Sequence, residues 1–351
     1  LKVSDPNLTE VETRERARTW YSLYSLEILI TEITGRPKSI FLLDVTIPID
    51  LIEQVASTTD DIQRDHDNLT SNRASKKAWL EFLGEGRYLS YAMTGGVVPW
   101  KSFASVGQGV SRQYFAQRLS LCRLSDKISS QLYTGTSGDS WSEIQHKIGD
   151  LQSELRNWAE SLPTDLAIQG QGSGATDPRV KIELSMYYQS LQMILHRPCL
   201  CQVIIENESI RSQEFNRSAA RACVHAAMSM LAIMPDNPTA HEAYQLLPWW
   251  ALLHFVAQAT AVLLLELCLG SQHFPDETLE VVNYLRKAMA YLWCITDGSL
   301  SAYRAWRIFR QLLSEVSRMY EHLDLVDIPE EAPQPPGWEQ GYEPAVGRAF
   351  D

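Results

Sequence analysis

What this chain lacks narrows it first. No segment of any length alternates apolar and polar residues as a half-buried strand does, so the pattern argues against a sheet. No two cysteines stand at a Cys-x2-Cys spacing, which paired thiolate ligands of zinc require; Cys199 and Cys201 come nearest. The others, Cys122, Cys223, Cys268 and Cys294, are scattered through apolar helical stretches, where a free thiol packs as a small hydrophobe. A reducing compartment is the natural reading. Basic clusters are missing too. The net charge of −12 resides in Asp44 to Asp67 and Asp324 to Asp351, each with seven acids and one base, and the remainder holds 29 acids and 29 bases. A neutral body with two acidic stretches matches a phosphate backbone poorly, so direct DNA binding by this chain is not expected. The longest apolar run, Trp249 to Leu269, is broken by His254, Gln258 and Glu266, which favours a buried helix over a membrane span. Without a secretory signal in the N-terminal residues, the sequons at Asn7, Asn68, Asn207 and Asn216 carry no glycosylation meaning.

What is present is helical. The 351 residues, 45% of them apolar, suffice for a large core. Thr9 and Glu12 fit a capping box, so a helix is predicted to start there. From Trp20 to Ile33 it leaves no wide polar face, which predicts a central helix; Gly35 and Pro37 end it. Glu27 within it needs a cationic partner if buried. Ser39 to Leu51 reads as extended, and Ala74 to Leu83 as a helix before the glycines at 84, 86, 95 and 96. A helix follows from Ser105 to Leu132. Ser140 and Glu143 form a second capping box, ahead of Trp141, Ile144, Ile148, Leu151, Leu155, Trp158 and Leu162, the cleanest amphipathic stripe in the chain. A flexible linker spans Gln169 to Ala175, and Asp177-Pro178 opens the next helix. Later helices are predicted near Phe215 to Met234, Ala240 to Leu269, Asp276 to Ile295 and Ala302 to Leu323. The fold class is all-α, an irregular bundle of about eight to ten helices with long loops. From 326 to 351 the acidic, proline-rich tail is expected to be disordered.

Candidate chemistry is sparse. Asp60, Asp61 and Asp65 have the look of an aspartate cluster holding magnesium on a diphosphate, which makes an all-α metal-dependent enzyme the alternative reading. No second acidic motif matches it, and a solvated acidic loop is the simpler reading. His241-Glu242 lacks the second histidine of a zinc protease motif, and no strand precedes the glycines at 170, 172 and 174. Arg304, Arg307 and Arg310 read as a solvated face, and His196 and His254 as hydrogen-bonded structural histidines. A constitutive helical scaffold is a third reading.

Three pieces stand in order along the chain. The first is Arg16, Arg18, Trp20-Tyr21-Ser22-Leu23-Tyr24 and Gly35-Arg36-Pro37; the second is Leu155-Arg156-Asn157-Trp158 with Ser161-Leu162-Pro163; the third is Tyr187-Tyr188 through Leu195-His196-Arg197-Pro198. Together they resemble the middle homology region of fungal zinc-cluster transcription factors. The resemblance runs from Leu1 to about Leu323 and begins partway into that region. It implies a helical regulatory domain over residues 1–325 that acts in the nucleus without catalysis. Zinc is then expected only in an N-terminal cluster absent from this chain, which needs no cofactor of its own. The implied partners are a small-molecule effector or a transcriptional coregulator, with a homodimer in keeping with the family. An effector site, if the domain has one, is placed among Tyr24, Arg36, Tyr187, Tyr188, Arg197 and Trp249, with aromatic walls and one arginine for charge. The same arginines are read first as caps on helix C-termini.

Overall fold

The computed structural model describes residues 9–40, 108–134, 138–164, 166–168, 178–201, 208–236, 239–240, 243–244, 247–296, 299–318, 320 and 328–332. Eight α-helices account for most of them, and no strand occurs among the described residues. The helices are α1 (Glu10–Thr34), α2 (Gln108–Leu132), α3 (Trp141–Glu160), α4 (Pro178–Leu200), α5 (Ile210–Ala232), α6 (Trp249–Cys268), α7 (Thr278–Cys294) and α8 (Leu300–Ser317). The chain divides into two compact units, one of Leu1–Asp126 and Trp158–Val180, the other of Lys127–Asn157 and Lys181–Asp351. The aspartates 60, 61 and 65, the predicted helix at 74–83, the linker at 169–175, and His241 and Glu242 lie outside the described residues.

In the first unit α1 begins and ends as its sequence dictates. The Thr9 hydroxyl accepts from the Glu12 backbone at 3.3 Å, the Glu12 carboxylate accepts from the Thr9 backbone at 2.9 Å, and Gly35 closes the helix at φ 65°. Only glycine adopts that left-handed value at little cost. Ala17, Tyr21, Tyr24 and Ile28 are buried, at helical spacing. The enclosure predicted for α1 does not hold, because Leu23, Leu26, Ile30 and Ile33 are exposed. Its apolar composition hid a division into one buried and one open face. Glu27 also departs from expectation. Its carboxylate takes the backbone N–H groups of Ser39 and Ile40, so peptide donors stand where a cation was predicted.

The second unit is built around α6, which packs against α5, α7 and α8. Leu252, Phe255, Val256, Ala259, Leu263 and Leu267 are buried along it. α6 has the length and apolarity of a membrane span, yet it lies in the protein core with Glu266 fully buried. It starts at Trp249 and not at Ala240 because Pro248 stands before its first turn, where the Pro248 carbonyl receives Ala251 and Leu252, each at 3.0 Å. α4 runs past the expected stop at Pro198 to Leu200. α8 ends at Ser317, short of Leu323. Of the tail predicted to be disordered, residues 328–332 are described: Ile328 is buried, and the Glu331 carbonyl accepts from Trp293 Nε1 at 3.0 Å.

Candidate functional site

The six residues singled out from the sequence fall in both units. In the first, Tyr24 is fully buried and donates to Asp126 Oδ2 at 3.3 Å, while Arg36 is exposed just beyond α1. Burial, with the neighbouring Asp126 carboxylate, pushes the Tyr24 phenol well above its usual value. Asp126 also pairs with Lys38. Beside it, Ser125 donates to Glu32. Tyr24 is thus a satisfied core tyrosine.

In the second unit α4 carries three of the others on different sides. Tyr187 is buried with its ring 6.4 Å from that of Phe255 on α6. One helical step further round, the Tyr188 hydroxyl accepts from Gln192 Nε2 at 2.9 Å. Arg197 is exposed, its guanidinium 5.1 Å from the centre of the Tyr133 ring. Trp249 is half exposed at the start of α6. The arginine predicted to cap carbonyls instead lies over an aromatic face.

Sequence reasoning missed the buried polar groups that run along α4. Ser190 donates to Gln258 Oε1 of α6 at 2.6 Å, and Gln258 Nε2 returns a bond to the Ser190 carbonyl at 3.3 Å. On another side His196 Nε2 meets Gln152 Oε1 of α3 at 2.7 Å. The His196 Nδ1 and the His254 Nε2 are buried without a hydrogen-bond partner. Burial holds both imidazoles down to about 4 and lifts the Glu183 carboxyl to about 7. The four-residue step from Tyr188 through Gln192 to His196 was the available signal. Its polar members were legible, their partners on α3 and α6 were not.

All six cysteines are free thiols. Burial raises Cys199 and Cys294 to about 12 and Cys223 higher still, which removes their nucleophilic thiolates at neutral pH. Among the described residues no group of three or more His, Cys, Asp and Glu could hold a metal ion. What these side chains do chemically is bind one another and close helix ends.

The fungal specific transcription factor domain matches residues 1–160. The transcription regulator galc of Aspergillus niger is 25% identical over 90% of this chain and 41% of its own length. The activator of stress genes 1 of Saccharomyces cerevisiae is 21% identical over 88% of this chain and 28% of its own length. The chain thus spans less than half the length of these curated relatives. No solved structure matches it.

Proposed function

With a fungal specific transcription factor domain over residues 1–160 as premise, we propose that this chain is the helical regulatory part of a nuclear transcription regulator and performs no catalysis. The observation that carries this reading is that two transcription regulators align with about nine-tenths of the chain, well beyond the matched domain. Two structural features agree with it. Buried polar pairs such as Ser190 with Gln258 and His196 with Gln152 hold helices together, and burial keeps the Cys199, Cys223 and Cys294 thiols protonated. In this role the chain restrains or relays activity, through a coregulator or a small effector held between helices of one unit. Within the second unit, Tyr187, Tyr188, Arg197 and Trp249 are the residues proposed for effector contact, and within the first the exposed Arg36, while Tyr24, fully buried on Asp126, is left to the core.

A reporter experiment tests the role. The chain is inserted between a heterologous DNA-binding domain and a strong activation segment, and transcription is measured in a fungal host. Output that changes with the insert, and changes again with growth conditions, is expected. Output equal to that of a helical insert of the same length and unrelated sequence would overturn the proposal.

A further inference from the structure

The three arginines that step along α8 do not share one solvated face. Arg304 and Arg307 are exposed, the latter 5.7 Å from the centre of the Tyr303 ring. Arg310 is half-buried, and its Nε–H is shut off from solvent without an acceptor. Among the described residues Arg310 enters no ion pair, hydrogen bond or aromatic contact. Four residues back, Trp306 is 3% exposed, and its indole Nε1–H is likewise buried without an acceptor. Residues at that spacing stand one above the other, with Cβ atoms about 6 Å apart, and long side chains lean toward the helix N-terminus. Two orphan donors, one of them charged, therefore lie within a single helical turn.

Indoles elsewhere in the same unit are satisfied. Trp293 Nε1 donates to the Glu331 carbonyl at 3.0 Å, and Trp141 Nε1 to Asn216 Oδ1 at 3.2 Å. Burying an N–H without an acceptor is costly, and burying one on a guanidinium, which stays charged, is costlier still. We infer that Trp306 and Arg310 form a binding site for the carboxylate of a small aliphatic monoacid. A carboxylate offers two acceptor oxygens, one for the indole N–H and one for the guanidinium Nε–H, and the second bond is charge-assisted.

Charge balance selects this ligand class. One guanidinium neutralises one negative charge, so a dianionic phosphate would bring a second, unpaired charge beside the buried Trp306, and a neutral carbonyl would leave Arg310 uncompensated. The neighbours select the rest of the molecule. Ala302, one turn before Trp306, and Leu313, one turn beyond Arg310, are both buried, and they suit a short hydrocarbon tail. α8 packs against α6 and α7, so the site belongs wholly to the second unit. It uses none of the residues proposed above for effector contact.

The test follows the indole itself. The full chain is isotope-labelled on its tryptophan indoles, and the Trp306 Nε1–H resonance is identified by its loss in Trp306→Phe. Sodium butyrate is titrated at neutral pH and constant ionic strength, with sodium phosphate and sodium chloride as controls. A saturable shift of the Trp306 resonance in the millimolar range is expected with butyrate, as befits so small an acid, and none of comparable size with the controls. Arg310→Gln should weaken butyrate binding roughly tenfold, and Arg310→Lys by less, since it keeps the charge. Should Arg310→Gln fail to fold, the wild-type chain still decides, because butyrate should raise its melting temperature where the controls do not. A Trp306 resonance that ignores butyrate, or that shifts equally with phosphate or chloride, would overturn the inference. So would a butyrate affinity that survives Arg310→Gln undiminished. Binding is read on the chain and not on transcription, so failure of this site is distinct from failure of the regulatory role.

Discussion

The Tyr133 hydroxyl donates to the carbonyl of Ile194 at 2.6 Å. That carbonyl is the one Pro198 leaves without a partner, because proline has no N–H to return four residues back along α4. The helix continues through Pro198 because a side chain from just beyond α2 supplies the missing donor. Arg197 covers the same ring from above. Burial raises the Tyr133 phenol, which keeps its proton available for the bond.

Tyr133→Phe is therefore expected to cost about 1 kcal/mol, the usual net worth of one such bond, measured by urea denaturation. Pro198→Ala restores a backbone donor for Ile194. In the Pro198→Ala background the loss of the hydroxyl should cost less than half as much, a coupling read from the double-mutant cycle. Strict additivity of the two changes would refute the assignment.

Arg197→Ala should lower stability only modestly, by roughly 0.5–1 kcal/mol, as for an exposed cation on an aromatic face. Arg197→Lys should retain part of this. In a Tyr133→Leu chain the Arg197 substitution should become silent. A loss of several kcal/mol with the ring removed would restore the carbonyl-capping role read from the sequence.

The helix ends were legible because their chemistry is local. Thr9 with Glu12 and Ser140 with Glu143 each meet within four residues, and both boxes form as predicted. The stripe from Ile148 to Leu155 is likewise buried, since a 3.6-residue period suffices to place it. The candidate site was legible only as a set of residue types. Tyr24 is spent on Asp126, and Arg197 on a tyrosine 64 positions away in sequence. Partners such as Gln258 for Ser190 belong to different helices, and no spacing within one helix encodes them. Glu27 shows the same limit, because its partners are backbone donors that carry no sequence signature.

Acidification should destabilise the protein through His196 and His254. Both are held down to about 4 in the folded chain, while an unfolded histidine titrates near 6.5. Between those values the unfolded state binds protons that the folded state refuses, so stability falls as pH drops from about 6.5 to about 4. Below that window their contribution stops changing. Each histidine accounts for at most roughly 3 kcal/mol over the window. Combining His196→Gln with His254→Gln should flatten the thermal-melt profile there, and an unchanged slope would contradict the shifts.

Glu183 acts in the opposite sense. Its carboxyl is raised to about 7 in the folded chain, so folded stability is fully present below the unfolded value of 4.5 and is lost as pH rises through 7. Glu183→Gln should accordingly raise the melting temperature at pH 8 and leave it nearly unchanged at pH 4.5. Equal effects at both pH values would show that packing, and not ionisation, decides the outcome.

Two of the polar breaks in the apolar run of α6, Gln258 and Glu266, bind other segments, and Glu266 has the heavier task. After α6 the backbone turns back through Gly270 at φ 75° and Ser271 at φ 54°. The fully buried Glu266 carboxylate then takes the backbone N–H of His273 at 2.8 Å, that of Phe274 at 3.1 Å, and His273 Nδ1 at 2.7 Å. Tyr320 braces the same turn by donating to the Leu267 carbonyl at 2.7 Å, and Arg221 holds the His273 carbonyl at 3.0 Å. Glu266→Ala strips three buried donors of their acceptor, for which a loss of about 3–5 kcal/mol is expected. Glu266→Gln keeps one oxygen for the two backbone donors, and its amide can donate to His273 Nδ1 once the ring carries its proton on Nε2. It should cost less than half as much. Hydrogen exchange separates a local effect from a global one. If Glu266→Ala speeds exchange only at residues 270–275 while the urea midpoint stays put, the carboxylate merely fastens a turn. If the midpoint falls and exchange rises throughout α6 and α7, the carboxylate sustains the second unit's core, which its complete burial and its three donors from one loop lead us to expect.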